Sequence, residues 1–250
     1  MTTDITNQLF EVGGCVRDEI LGVHTNDIDF TFVVDDLSLT VDQGWDVMKS
    51  FLKEKGFKIF LETKDCFTIR AMFPKDHEHK GLVADFVMAR KEIGVIDGTR
   101  KPVLELGSLL DDLTRRDFTL NAMAKDLHGN IIDPFDGQGH LEKGLLITPL
   151  EPVKTFMDDP LRMIRALRFS VTKGFDIHDS VWEAIFTPGL LDKLEEVVSQ
   201  ERIREEVTKM FKHDTVHTMR LFADIDQREP RLLEIVFKDC MWLMPSTKKK

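Results

Sequence analysis

Between Leu9 and Val34 the sequence places a glycine pair and then a carboxylate pair between apolar runs, which restricts the chain to a strand, a tight turn, a helix and a second strand. Leu9 to Val12 read as a short strand, Gly13 and Gly14 let the backbone turn and approach a ligand, and Val16 to Leu21 carry a helical pattern. A glycine turn leading into a helix N-terminus is an anion site. The unpaired N–H groups and the helix dipole face the turn, and Arg17 in the first turn adds a fixed donor for phosphate oxygens.

The next strand, Ile28 to Val34, follows Asp27-Ile28-Asp29-Phe30. Side chains alternate along a strand, so Asp27 and Asp29 share one face while Ile28, Phe30 and Phe32 point to the other, into a core. Two adjacent carboxylates repel each other unless a cation lies between them, and Mg2+ favours one or two carboxylates together with substrate phosphates. Taken singly, Gly-Gly is only a turn and Asp-x-Asp a solvated strand edge. Together they point to phosphoryl or nucleotidyl transfer.

Gly13-Gly14-Cys15-Val16-Arg17-Asp18 followed by Asn26-Asp27-Ile28-Asp29-Phe30 resembles the head-domain motif of the class II tRNA nucleotidyltransferases (CCA-adding enzymes) and bacterial poly(A) polymerases, a branch of the DNA polymerase beta-like nucleotidyltransferase superfamily. The remaining motifs follow in the order that family uses.

The 250 residues hold 34 Lys and Arg against 44 Asp and Glu, a formal charge of −10, so the chain is not a globally basic nucleic-acid binder. RNA contact then requires a local basic patch. Cys15, Cys66 and Cys240 show neither metal-ligand spacing nor an even framework, which suggests a reducing, cytoplasmic setting. No signal peptide or membrane-length apolar run is evident, so no membrane partner is expected. Lys248 to Lys250 read as a frayed solvated end or a basic tail.

Val41 to Lys55 read as an amphipathic helix with Trp45, Met48 and Leu52 inward, and Phe57 to Leu61 and Cys66 to Phe73 as strands, the second alternating Phe67, Ile69 and Ala71 against Thr68, Arg70 and Met72. Pro74 to Lys80, with His77 and His79, reads as a solvated loop. Leu82 to Ala89 read as a strand that carries Asp85 between apolar neighbours, where a carboxylate needs a partner. The resemblance implies that Asp85 is a third catalytic carboxylate; a salt bridge to Arg70 or Arg90 is the structural alternative. Val95 to Pro102 read as a mobile loop.

Leu110 to Ala124 read as a helix on which Asp117 and Asn121 share a face and Phe118 and Ala122 pack inward. Asp117 and Asn121 offer acceptors and donors to a ribose, and Arg115 and Arg116 suit phosphate. The run Arg115-Arg116-Asp117-Phe118-Thr119-Leu120-Asn121-Ala122 is similar to the family element that implies contacts to the sugar and phosphates of the nucleotide. Ile131 to Gly137 form a strand and turn similar to a family segment that positions the junction between domains.

From Pro149 to Pro152 onward the pattern becomes helical, which divides the chain into a head, residues 1–149, and a neck, residues 150–250. In Asp158-Asp159-Pro160-Leu161-Arg162, Asp159 and Arg162 are three apart on a helix and together suit the Watson–Crick edge of a base; capping by either aspartate is compatible with this. The segment resembles the family's templating element, except that Asp158 stands where the family has Glu. Arg165 and Arg168 are candidate phosphate contacts. Ser199 to Val207 are similar to a neck helix, with Ile203, Val207, Met210 and Phe211 as its buried stripe; Arg202 and Arg204 face RNA or pair with glutamates, and two more packing helices follow from Thr215 to Ala223 and from Arg231 to Trp242.

The expected fold is therefore α/β (α+β), a head with a mixed, antiparallel-leaning sheet and an all-α neck. The resemblance implies transfer of CMP or AMP from CTP or ATP to the 3′ end of tRNA or another RNA with release of pyrophosphate, using Mg2+ on Asp27 and Asp29 with Asp85. Gly13, Gly14 and Arg17 would hold the triphosphate, Arg116, Asp117 and Asn121 the ribose and phosphates, and Asp159 and Arg162 the base. A poly(A) polymerase and a catalytically silent RNA- or nucleotide-binding module remain as alternatives. Most of the family's helical body and tail is lacking, so a compact enzyme, a fragment or one needing another subunit is expected.

Overall fold

The computed structural model describes residues 8–77, 79–95 and 102–238. The chain divides into two compact units between Leu141 and Glu142, ahead of the Pro149 to Pro152 boundary read from sequence.

In the first unit, strand β1 (Leu9–Val12) turns through Gly13 into helix α1 (Gly14–Ile20) and continues to β2 (Ile28–Phe32). Helix α2 (Val41–Glu54) starts where Thr40 accepts from the Gln43 N–H and the Gln43 side chain accepts from the Thr40 N–H, a reciprocal cap that satisfies two otherwise unpaired donors. Strands β3 (Lys58–Thr63), β4 (Thr68–Met72) and β5 (Val83–Met88) follow, then the antiparallel ribbon of β6 (Arg90–Val95) and β7 (Pro102–Leu106). The ribbon's loop, read from sequence as mobile, lies outside the described residues over 96–101, as do the Lys248 to Lys250 tail and Cys240. Helix α3 (Leu109–Thr114), β8 (Ala124–Lys125), β9 (Ile131–Ile132) and α4 (Gly137–Glu142) complete the series.

The main sheet has the order β3-β4-β5-β2-β1-β8-β9, and β2 with β5 is its parallel pair among the described residues; the other neighbours are antiparallel. This is the mixed sheet expected. Trp45, Met48 and Leu52 of α2 cover one face, where Phe30, Phe32, Phe86 and Ile69 are buried, with Phe30 and Phe86 stacked at 5.1 Å. Each such side chain contributes about 1.5–3 kcal/mol through burial. Gly44 lets α2 approach β7: a Cβ there would lie 2.6 Å from the Leu106 side chain.

The helix expected from Leu110 to Ala124 is not continuous. It stops at Thr114, Phe118 is extended, and a short 3-10 turn spans Thr119–Asn121. Every residue from Asp117 to Ala124 is buried, whereas a helix packed on a sheet hides only one face. The Asp117 side chain also accepts from the Phe118 N–H at 2.8 Å, a local bond that competes with helix.

The second unit contains β10 (Leu145–Leu146), α5 (Pro152–Asp158), α6 (Leu161–Lys173), β11 (Asp176–Ile177), α7 (Asp179–Ile185), α8 (Pro188–Val197), α9 (Gln200–His213), α10 (Thr215–Arg228) and α11 (Pro230–Phe237). It departs from an all-α neck by the parallel pair of β10 with β11. Gly174, in the left-handed conformation at φ 69°, ends α6, and the Asp176 N–H then donates to the Gly144 carbonyl at 2.7 Å. Two-residue strands leave no periodicity to read. Ile203, Val207 and Met210 form the buried stripe of α9, and Phe211 is half-buried.

Candidate active site

Register places the carboxylates. Asp29 on β2 lies directly opposite Asp85 on the parallel strand β5, and Asp85 in turn lies opposite Arg70 on β4. Paired positions share a face, so Arg70, Asp85 and Asp29 form a row across three strands, on the face away from Phe30 and Phe86. An open cleft of about 590 Å³ is lined by Asn26, Asp27, Asp29, Arg70 and Asp85 among others. Arg70 grips Asp85 at two points, Nε to Oδ1 at 2.6 Å and Nη2 to Oδ2. The salt bridge to Arg70 is thus present, and Asp85 lines the same cleft as Asp27 and Asp29.

The Asp29 carboxyl is pushed above its ordinary range, first by the crowding of protein around it although its tip reaches water. Arg116 opposes that rise, Asp85 and Asp27 add to it, and Arg70 opposes it. Among the described residues no three histidine, cysteine or carboxylate side chains are gathered closely enough to hold a metal ion. Asp27 and Asp29 nevertheless supply oxygen donors of the kind Mg2+ uses together with phosphates.

On the other side of the row stands Arg116. Its Nη2 donates to Asp112 at 2.8 Å and to Thr31 at 3.3 Å, and the Thr31 hydroxyl donates to the same Asp112 oxygen at 2.7 Å. Arg116 also presses on the glycine turn. Gly13 has φ +79°, the conformation that favours glycine, and a Cβ there would lie 2.8 Å from Arg116 Nη1, so a side chain would also displace the guanidinium. The Arg116 Nε is buried without a hydrogen-bond partner among the described residues.

Arg17, Asp117 and Asn121 lie elsewhere. Arg17 is 6% exposed, Asp117 7% and Asn121 5%. Arg17 Nη1 donates to Asn121 Oδ1 at 2.5 Å, Asn121 Nδ2 donates to Asp117 Oδ1 at 2.9 Å, and Arg17 also holds Asp18 at 2.8 Å. The helix expected to present Asp117 and Asn121 is replaced by a buried 3-10 turn, and Arg17, expected at phosphate, is buried against it. These groups tie α1 to the 3-10 turn from within.

In the second unit Asp159 and Arg162 do not share a helix as expected. Asp159 precedes Pro160, which forces it into an extended conformation between α5 and α6. Its Oδ1 accepts from the Leu161 N–H at 3.1 Å and its Oδ2 from Arg202 at 3.0 Å, while Arg162 donates to the Thr155 carbonyl at 2.9 Å. Asp158, at the end of α5, is exposed. Arg165 lies 5.7 Å from the Phe169 ring. Arg168, expected at phosphate, stacks on Phe169 at 4.0 Å and pairs with the buried Glu206, which also accepts from Lys209 at 2.8 Å.

Sequence reasoning missed Thr31, Asp112 and Glu206. Asp112 carried a signal, its spacing of four residues from Arg116; Glu206, within an α9 stripe otherwise apolar, carried none.

A family model described as "Poly A polymerase head domain" matches residues 9–147. The chain is 32% identical over 213 residues to the tRNA nucleotidyltransferase cca2 of Schizosaccharomyces pombe, covering 80% of this chain and 42% of that protein. Among solved structures, the Bacillus stearothermophilus CCA-adding enzyme in complex with CTP matches with a TM-score of 0.67 and 30% identity over 86% of this chain and 47% of that one. A tRNA nucleotidyltransferase complexed with a primer tRNA and an incoming ATP analog matches with a TM-score of 0.66 and 25% identity, covering 94% and 60%. The chain spans less than half the length of the curated relatives it matches.

Proposed function

This chain belongs to the Poly A polymerase head-domain family, and from that premise we propose that it transfers CMP or AMP from CTP or ATP to the 3′ end of tRNA. The observation that carries this reading is the register that sets Asp29 opposite Asp85 beside a glycine turn overlaid by Arg116. The triphosphate lies at Gly13 and Gly14, where the Arg116 guanidinium, its Nη1 at the turn, supplies donors to phosphate oxygens. Asp27 and Asp29, with Asp85, would hold Mg2+, which would supply charge to offset the phosphates and to favour deprotonation of the acceptor hydroxyl. The RNA 3′-oxygen bonds to the α-phosphorus, the bond to the bridging oxygen breaks, pyrophosphate leaves, and the hydroxyl proton passes to a carboxylate of the row.

Arg17, Asn121 and Asp117 are positioning residues that fix α1 and the segment leading from Arg116. Asp159 and Arg162, each oriented by its own neighbours, present the acceptors and donors suited to a base edge. The unpaired thiols of Cys15 and Cys66 accord with a cytoplasmic enzyme. Among the described residues no helix is long and apolar enough to cross a membrane.

The test uses tRNA transcripts ending at the discriminator base, at C and at CC, with Mg2+ and each nucleoside triphosphate singly and together. Growth by CCA and then arrest is the expected result. Addition of C alone or A alone identifies a split-function relative, and an open-ended A ladder favours a poly(A) polymerase, the activity named in the matched family. Silence of the folded protein on every transcript contradicts the reading.

A further inference from the structure

Arg70 enters the carboxylate row from the side opposite Arg116, and its two-point grip leaves Asp85 with one guanidinium nitrogen on each oxygen. Both ends of the pair reach solvent, with side chains 47% and 25% exposed. Arg70 and Asp85 also stand between two clefts: they line the one that holds Asp27 and Asp29, and a second of about 250 Å³ bordered by Leu61, Thr63, Cys66 and Thr68. The guanidinium thus has open space on its far side. Although register sets Asp29 against Asp85, the three carboxylates are not gathered into one metal-holding group among the described residues. A carboxylate gripped at two points can join a cation only by giving up at least one of those bonds, and a solvent-exposed ion pair opens at small cost.

We propose that Arg70 is a tethered counter-ion for Asp85, a positioning residue that competes with the divalent cation and sets how much metal the cleft needs. The inference rests on the proposed nucleotidyl-transfer site. When the nucleotide-bound cation takes up Asp85, Arg70 releases it and turns toward the cleft beside Thr68. Removing the guanidinium therefore tightens cation binding, and it does so only while Asp85 keeps its charge.

Manganese binding to the full chain with CTP and no RNA, followed by electron paramagnetic resonance, reads this without turnover. Arg70→Gln is expected to bind Mn2+ at least about threefold more tightly than wild type, with Arg70→Lys, which keeps a charge but loses the fork, in between. In an Asp85→Asn background the same Arg70→Gln change is expected to have no effect. Unchanged or weaker binding by a folded Arg70→Gln protein overturns the proposal, as does a gain that persists with Asp85→Asn, because general charge and not the Asp85 grip would then be the cause. Tight Mn2+ binding with the expected variant pattern, in a protein that extends no RNA, leaves the counter-ion in place and removes only the transfer reaction.

Discussion

Arg70 and Arg17 each hold a carboxylate within the first unit, yet one pair lies at the rim of a cleft and the other is largely buried. Arg70 is half-exposed and its side chain hydrogen-bonds to Asp85, whereas Arg17 is 6% exposed and is shared between Asp18 and Asn121, which leads on to Asp117. The same chemistry serves exchange in the first place and architecture in the second. An open ion pair gains little over hydration and can trade partners; a buried one leaves an uncompensated charge when broken. Motif membership alone does not separate them, since Arg17 and Asp29 sit in neighbouring signatures.

The contrast can be broken most strongly at the open row. Asp27→Ala combined with Asp29→Ala should lower turnover by at least about a thousandfold, several kcal/mol of transition-state stabilisation, while the melting temperature does not fall. A comparable loss of thermal stability in that variant would mean the row is structural. Arg17→Ala should do the reverse. Leaving Asn121 and Asp117 buried without it costs about 3 kcal/mol, read as a lower urea midpoint at an unchanged m-value.

Asp29→Asn sharpens the comparison through pH. Crowding by the surrounding protein and the neighbouring carboxylates hold the folded Asp29 carboxyl above its ordinary range although it reaches water, so this group's contribution to stability falls as pH rises above the ordinary Asp value of about 3.9. The variant is therefore expected to equal wild type in stability below about pH 4 and to exceed it at neutral pH. A stability difference that is flat with pH would contradict the sign. The smallest effect belongs to Arg202→Ala: its ion pair with Asp159 is open to solvent, so unfolding should shift by only about 0.2–1 kcal/mol.

Much of the row was legible in advance because strand alternation is a rigid rule. Asp29 had to face away from Ile28, Phe30 and Phe32, and Phe67, Ile69 and Ala71 had to face away from Arg70, as they do. What alternation does not give is which strands become neighbours, so the Asp29–Asp85–Arg70 row required the parallel pairing of β2 with β5. Helical spacing failed where burial was complete: the segment after Thr114 is hidden on all sides, and its period is lost. It failed again at Asp159, where Pro160 breaks the helix that spacing assumed. The burial of Arg17 was unreadable because its partner Asn121 lies 104 residues away in sequence.

The most direct measurement is pyrophosphate release from CTP by the purified chain with Mg2+ and a tRNA transcript ending at the discriminator base. Release is expected to depend on the RNA, to match the nucleotides gained by the transcript, and to disappear in the folded Asp27→Ala, Asp29→Ala variant. Release that persists at the wild-type rate in that variant, or none at all from the folded wild-type protein, would contradict the proposed transfer.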